Sequence, residues 1–118
     1  MQLKLNTRVI DGITVIDCHG RIVFGEESAL LRDTVKATLS KANRIILNLH
    51  EVSYIDSGGL GTLVGLFTSA RSAKGDIKLA NLTPRVGQLL QVTKLVTVFD
   101  VHETLEQALK AFGQAAKV

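Results

Sequence analysis

The sequence predicts an α/β fold: an N-terminal β-hairpin, then helices and strands in alternation, giving a mixed sheet of four to five strands packed with helices. Three observations carry this. Two runs rich in β-branched and aliphatic residues flank Asp11-Gly12, a strong tight-turn pair. Beyond about Glu26 the apolar positions recur at helical spacing, and helix-like and strand-like segments then alternate to the end. The run Arg44-Ile45-Ile46-Leu47-Asn48-Leu49 is short and nearly continuously apolar, as expected of a central strand covered on both faces.

Taken in order, Leu3 to Ile10 and Ile13 to His19 are the hairpin strands, and Gly20 to Gly25 is a loop or strand end. From Glu26 to Ala42, Leu31, Val35, Thr38, Leu39 and Ala42 fall on one helical face. Acidic residues early in that segment and Lys41 near its end suit the helix dipole. After the central strand, a second helix runs from Ser57 to Lys74, with Leu60, Leu63, Val64, Phe67 and Ala70 as its apolar stripe. Ile77 to Leu82 is a strand. Thr83-Pro84 starts a third helix, because proline is tolerated at the first helical position. Val86, Leu89, Leu90 and Thr93 form its core face, Val96 to Val101 is a last strand, and Leu105, Ala108, Leu109 and Phe112 mark a final helix.

The length of 118 residues fits one domain over 1–118, and 46% hydrophobic with 21% charged residues is an ordinary globular balance. A single cysteine makes neither an internal disulfide nor a zinc cluster, and Cys18, in an apolar run, reads as a buried strand thiol. No run approaches the ~18 apolar residues of a membrane span, so direct membrane insertion is not expected. Met1 to Asn6 lacks the apolar core of a signal peptide, which suggests a cytoplasmic protein. The net charge of +3 comes without a basic cluster, so nucleic acid is not an expected partner. His19, His50 and His102 share no metal-ligand spacing; no metal and no cofactor are expected.

One segment carries chemistry. Asp56-Ser57-Gly58-Gly59-Leu60-Gly61 places a carboxylate, a hydroxyl and glycines at a helix start. Asp and Ser there can be caps, accepting bonds from free backbone N–H groups. They can also be an exposed hydroxyl at an electropositive site that tolerates a phosphate, with glycines admitting a partner's backbone. Opposite the apolar stripe lie Thr62, Gly65, Ser69 and Ser72, with Leu66 on the flank: a small, nearly uncharged face. Gly61 and Gly65 either let the helix lie close to the sheet or give a flat docking surface for a partner.

Enzyme readings fit less well. A serine-hydrolase elbow needs Gly two residues before the nucleophile, where this chain has Ile55, although Asp100 and His102 follow Ser57 in hydrolase order. No Walker loop occurs. A phosphorylated-aspartate receiver would need an acidic pair after the first strand, where the chain instead turns at Asp11-Gly12.

The run Ile45 to Leu49 followed by Val52-Ser53-Tyr54-Ile55-Asp56-Ser57-Gly58-Gly59-Leu60-Gly61 resembles the signature of STAS-domain proteins. With Gly20-Arg21-Ile22, the stretch Leu79 to Val86 and the end Val98 to Leu109, nearly the whole chain resembles the bacterial anti-sigma factor antagonists. The resemblance implies a single STAS domain, whose fold matches the element order above. It implies partner switching: the unphosphorylated antagonist binds an anti-sigma factor, usually a serine-protein kinase, and frees the sigma factor. Phosphorylation of the serine aligned with Ser57 releases the kinase, and a serine phosphatase resets the cycle. ATP belongs to the kinase. The same fold and motif also occur in subunits of regulatory scaffolds and membrane-transport assemblies. Asp56, Ser57, Gly58, Gly59, Leu60, Gly61, Thr62, Gly65, Leu66 and Ser69 are the expected partner-binding residues. This chain has Gly58 where many members carry a second serine, and Val23 where they often carry aspartate, in a loop one residue longer.

Overall fold

A computed structural model describes residues 3–116. Strands β1 (Lys4–Ile10) and β2 (Ile13–Ile22) form the expected hairpin. Asp11 and Gly12 both take positive φ, 52° and 79°, as a two-residue hairpin turn of matching twist requires. There follow α1 (Glu26–Leu39), β3 (Arg44–Ile55), α2 (Ser57–Ser72), β4 (Asp76–Ala80), α3 (Pro84–Val92), β5 (Asp100–His102) and α4 (Leu105–Ala116). The strands lie in the order β1-β2-β3-β4-β5; β1 runs antiparallel to β2, and every later pairing is parallel.

The pleat sorts the core into two layers. Ile16, Cys18 and Ile22 of β2, with Ile45, Leu47 and Leu49 of β3, point to the face covered by α1, α2 and α3. Val15 and Ile46 point the other way, where Ala108 and Phe112 of α4 cover them. Burial pushes the Cys18 thiol up to about 12, so it stays protonated, as a structural strand thiol should.

Several boundaries differ from the sequence reading. β2 continues through Gly20-Arg21-Ile22, and β3 runs six residues beyond Leu49. Against β2, β3 carries extra residues at two register shifts. Val52 and Ile55 are therefore the buried positions, three apart, and the alternation that announces a strand is lost. Helix α1 stops at Leu39 and α2 at Ser72, each short of the expected end. The last strand, expected at Val96–Val101, is present but lies at Asp100–His102, and Leu95–Thr97 is a single 3-10 turn. The apolar run exists because Phe99 plugs the core from a turn, edge-on to Phe67 with ring centroids 5.7 Å apart. Leu66, placed on the outward flank of α2, is buried in the core, while Leu60, Val64 and Phe67 are only half-buried against it.

The second face also holds polar groups that no local motif announced. Arg8 pairs with Asp17 (2.8 and 3.2 Å), Asn48 donates to Asp17 (2.8 Å), and Asn81 donates to Asn48 (3.0 Å). Burial opposes ionisation of Asp17, but the Arg8 and Asn48 hydrogen bonds outweigh it and hold the carboxyl below its ordinary value. Lys78 is buried under the Phe112 ring, 4.6 Å from its centroid, and pairs with Asp100.

Candidate functional site: the start of the second helix

β2 and β3 pair in parallel, so α1 and α2 both begin at the carboxyl edge of the sheet. Functional groups of open α/β sheets collect at that edge. Asp56 leaves β3 in extended conformation and is the N-cap of α2. Its carboxylate accepts from the Gly59 N–H (2.7 Å) and from the Phe24 N–H (3.1 and 3.2 Å). One side chain thus ties the helix start to the β2–α1 loop. The Gly59 N–H, then the Phe24 N–H, hold the Asp56 carboxyl below its usual value, and the charge of Arg21 adds to this. The capping reading therefore holds for Asp56.

The sign of that shift gives a test. A carboxyl whose folded pKa is depressed adds stability above its unfolded pKa, about 3.9. That stability is lost as pH falls through the folded value. Asp56→Asn should lower the thermal midpoint at neutral pH, and the gap to the parent should close in acid. A gap of equal size at both would show that the charge contributes nothing.

Ser57 is exposed at the first position of α2. It lies at the lip of an open groove of about 610 Å³ between α1 and α2. Of the expected partner-binding residues, Ser57, Gly58, Gly61, Thr62, Gly65, Leu66 and Ser69 line this groove. Leu66 does so from a buried position. Asp56, Gly59 and Leu60 are placed elsewhere: Asp56 on backbone donors, Gly59 buried against β2, Leu60 against the core. Thr62 returns its hydroxyl to the Gly58 carbonyl (3.1 Å).

A Cβ on Gly61 or Gly65 would meet nothing within 4 Å. Neither glycine is there to bring the helix onto the sheet; both leave the groove wall bare. Glycine inside a helix costs about 1 kcal/mol relative to alanine. Gly65→Ala should then raise the thermal midpoint by a few degrees, read by circular dichroism. A lower midpoint would mean that packing requires the glycine.

The facing wall was not read from the sequence. It consists of Phe24, Ser28, Arg32 and Lys36. Phe24, in the longer loop, is 81% exposed with its Cβ side resting on Gly58. The available signal was the four-residue spacing of Ser28, Arg32 and Lys36 on a helix that parallel pairing sets beside α2.

This geometry defines a class: an α/β domain that presents a capped, glycine-rich helix start at the edge of an open groove. The STAS domain family profile matches residues 4–108, and the chain belongs to that family. The anti-sigma-B factor antagonist of Bacillus subtilis is 33% identical over 77 residues, covering 65% of this chain and 71% of that protein. The anti-sigma factor antagonist SpoIIAA in its unphosphorylated form superposes with a TM-score of 0.76 at 20% identity, covering 94% of this chain and 97% of that one. The Bacillus cell fate determinant SpoIIAA is also solved in the phosphorylated form, with a TM-score of 0.69 at 21% identity over 93% of this chain and 98% of that one. A sulfate transporter family protein from Wolinella succinogenes shares the fold as well, with a TM-score of 0.76 at 19% identity over 94% of this chain and 93% of that one. No helix among the described residues is long and apolar enough to cross a membrane.

Proposed function

We propose that residues 1–118 form a single domain and that this chain is an anti-sigma factor antagonist, working in the cytoplasm and switched by phosphorylation of Ser57. The observation that carries the reading is the position of Ser57: exposed, at the start of α2, on the rim of the groove, with Asp56 beside it committed to the backbone. Unmodified, the groove face docks an anti-sigma factor that is itself a serine-protein kinase, and the sigma factor goes free. In the transfer step the Ser57 hydroxyl oxygen bonds to the γ-phosphorus of the kinase's ATP. The bond from that phosphorus to the bridging oxygen breaks, ADP leaves, and the hydroxyl proton passes to a base of the kinase. A serine phosphatase hydrolyses the ester and restores the hydroxyl. This chain supplies the acceptor and the docking surface.

The names of the relatives support the reading: the Bacillus subtilis relative is an anti-sigma-B factor antagonist, and SpoIIAA is solved in both phosphorylation states. The test is incubation with the anti-sigma kinase of the same organism and ATP, followed by peptide mass spectrometry. Phosphate should map to Ser57 and disappear in Ser57→Ala. Label retained by Ser57→Ala overturns the assignment. A second reading, a STAS subunit of a transport assembly, is favoured by the likeness to the Wolinella succinogenes protein. Stable binding to a membrane permease, with none to the kinase, would select it.

A further inference from the structure

Helices α1 and α2 start at one edge of the sheet and run side by side in the same direction. Across the groove between them, Ser57, Gly61 and Gly65 rise in four-residue steps on one wall; Ser28, Arg32 and Lys36 rise in the same steps on the other. Side chains on a helix lean toward its N-terminus. On that rule Arg32 is aimed toward the turn of Ser28 and Lys36 toward the turn of Arg32, along the groove whose lining also includes Ser57. Both basic residues are exposed, and neither makes an ion pair among the described residues. The groove lining includes no carboxylate. Two uncommitted cations thus share an acid-free groove with the hydroxyl that the proposed function modifies.

We infer that Arg32, assisted at longer range by Lys36, is the chain's own receptor for a phosphoryl group on Ser57. The inference rests on the reading of Ser57 as the phosphorylated residue. A phosphoserine brings about −1.5 to −2 charge and three acceptor oxygens. The planar guanidinium fork of arginine can hold two of those oxygens at once, whereas a lysine acts as a point charge. Modification then does two things at one place: it fills the mouth of the groove, and it withdraws the groove's positive charge from a docking partner. The β2–α1 loop takes part through position, since the Asp56 carboxylate holds the Phe24 N–H and so fixes the entry to α1.

The test needs neither kinase nor partner. The chain is made with phosphoserine inserted at position 57 during synthesis, and its phosphorus resonance is followed through a pH titration. The second phosphate pKa, ordinarily about 6, is lowered by any cation that favours the dianion. Arg32→Gln should raise it by about one unit, the low end of the range for an anion beside arginine. Arg32→Lys should recover part of the difference, Lys36→Gln should raise the pKa by less, and Lys41→Gln, beyond the end of α1, should leave it unchanged. The same titration midpoint in Arg32→Gln and its parent overturns the inference. That outcome leaves the assignment of Ser57 standing, which is decided by the kinase experiment above.

Discussion

Gly59→Ala should cost this protein about 3 kcal/mol or more and lower its thermal midpoint by about 10 °C or more. A Cβ built on Gly59 would lie 1.9 Å from the Ile22 carbonyl oxygen and 2.7 Å from its carbonyl carbon. Both are backbone atoms, so no rotamer change relieves the overlap. Either the end of β2 or the start of α2 must move. The Asp56 N–H donates to that same Ile22 oxygen (3.3 Å), and the Gly59 N–H donates to the Asp56 carboxylate (2.7 Å). A shift large enough for a methyl group therefore strains the cap and the strand-to-helix contact together. Overpacking alone costs roughly 1–3 kcal/mol, and a hydrogen bond left unmade in a buried place about 1–3 more. Set against a typical total of about 5–15 kcal/mol, that is a large loss. Gly61→Ala is the control: two residues along the same helix, its Cβ meets nothing within 4 Å, and its midpoint should hold or rise. Equal midpoints for the two variants would show that the close approach of α2 to β2 contributes little.

The contrast between these two glycines shows what was legible in the sequence. Asp56-Ser57-Gly58-Gly59 announced a helix start because capping is local chemistry, decided within four residues. Asp11-Gly12 announced a hairpin for the same reason. Which glycine touches the sheet depends instead on the approach of β2, over thirty residues away along the chain, and composition does not encode that. The far half of β3 was hidden because its register shifts against β2 replace alternation with a three-residue spacing of Val52 and Ile55. The 3-10 turn at Leu95–Thr97 was hidden because a turn that buries Phe99 has the same apolar composition as a short strand. Arg32 and Lys36 were hidden because helical periodicity identifies the inward face and is silent about what the outward face confronts.

Ser57→Asp should leave the thermal midpoint within a few degrees of the parent while weakening binding to the anti-sigma factor about a hundredfold or more. The two halves follow from different surroundings. In the free protein Ser57 is exposed at the first position of α2, where a negative charge meets the positive end of the helix dipole. That interaction favours the folded state by roughly 0.3–1 kcal/mol, so the fold has no reason to give way. In the proposed complex the same charge would be trapped between the groove and the docked protein. An ion moved out of water without a matched partner costs several kcal/mol, and each 1.4 kcal/mol is tenfold in affinity. Arg32 offsets part of this for either anion, and more for a phosphate, whose charge is larger and whose oxygens match the guanidinium fork. Calorimetric titration of the anti-sigma factor into Ser57→Asp, Ser57→Asn and Ser57→Ala separates charge from bulk. Asparagine has the size of aspartate without its charge, so Ser57→Asn should keep most of the affinity and Ser57→Ala nearly all of it. If Ser57→Asn loses as much as Ser57→Asp, the switch is a matter of volume at the lip of the groove. If Ser57→Asp loses its fold, the switch acts through the structure of this chain.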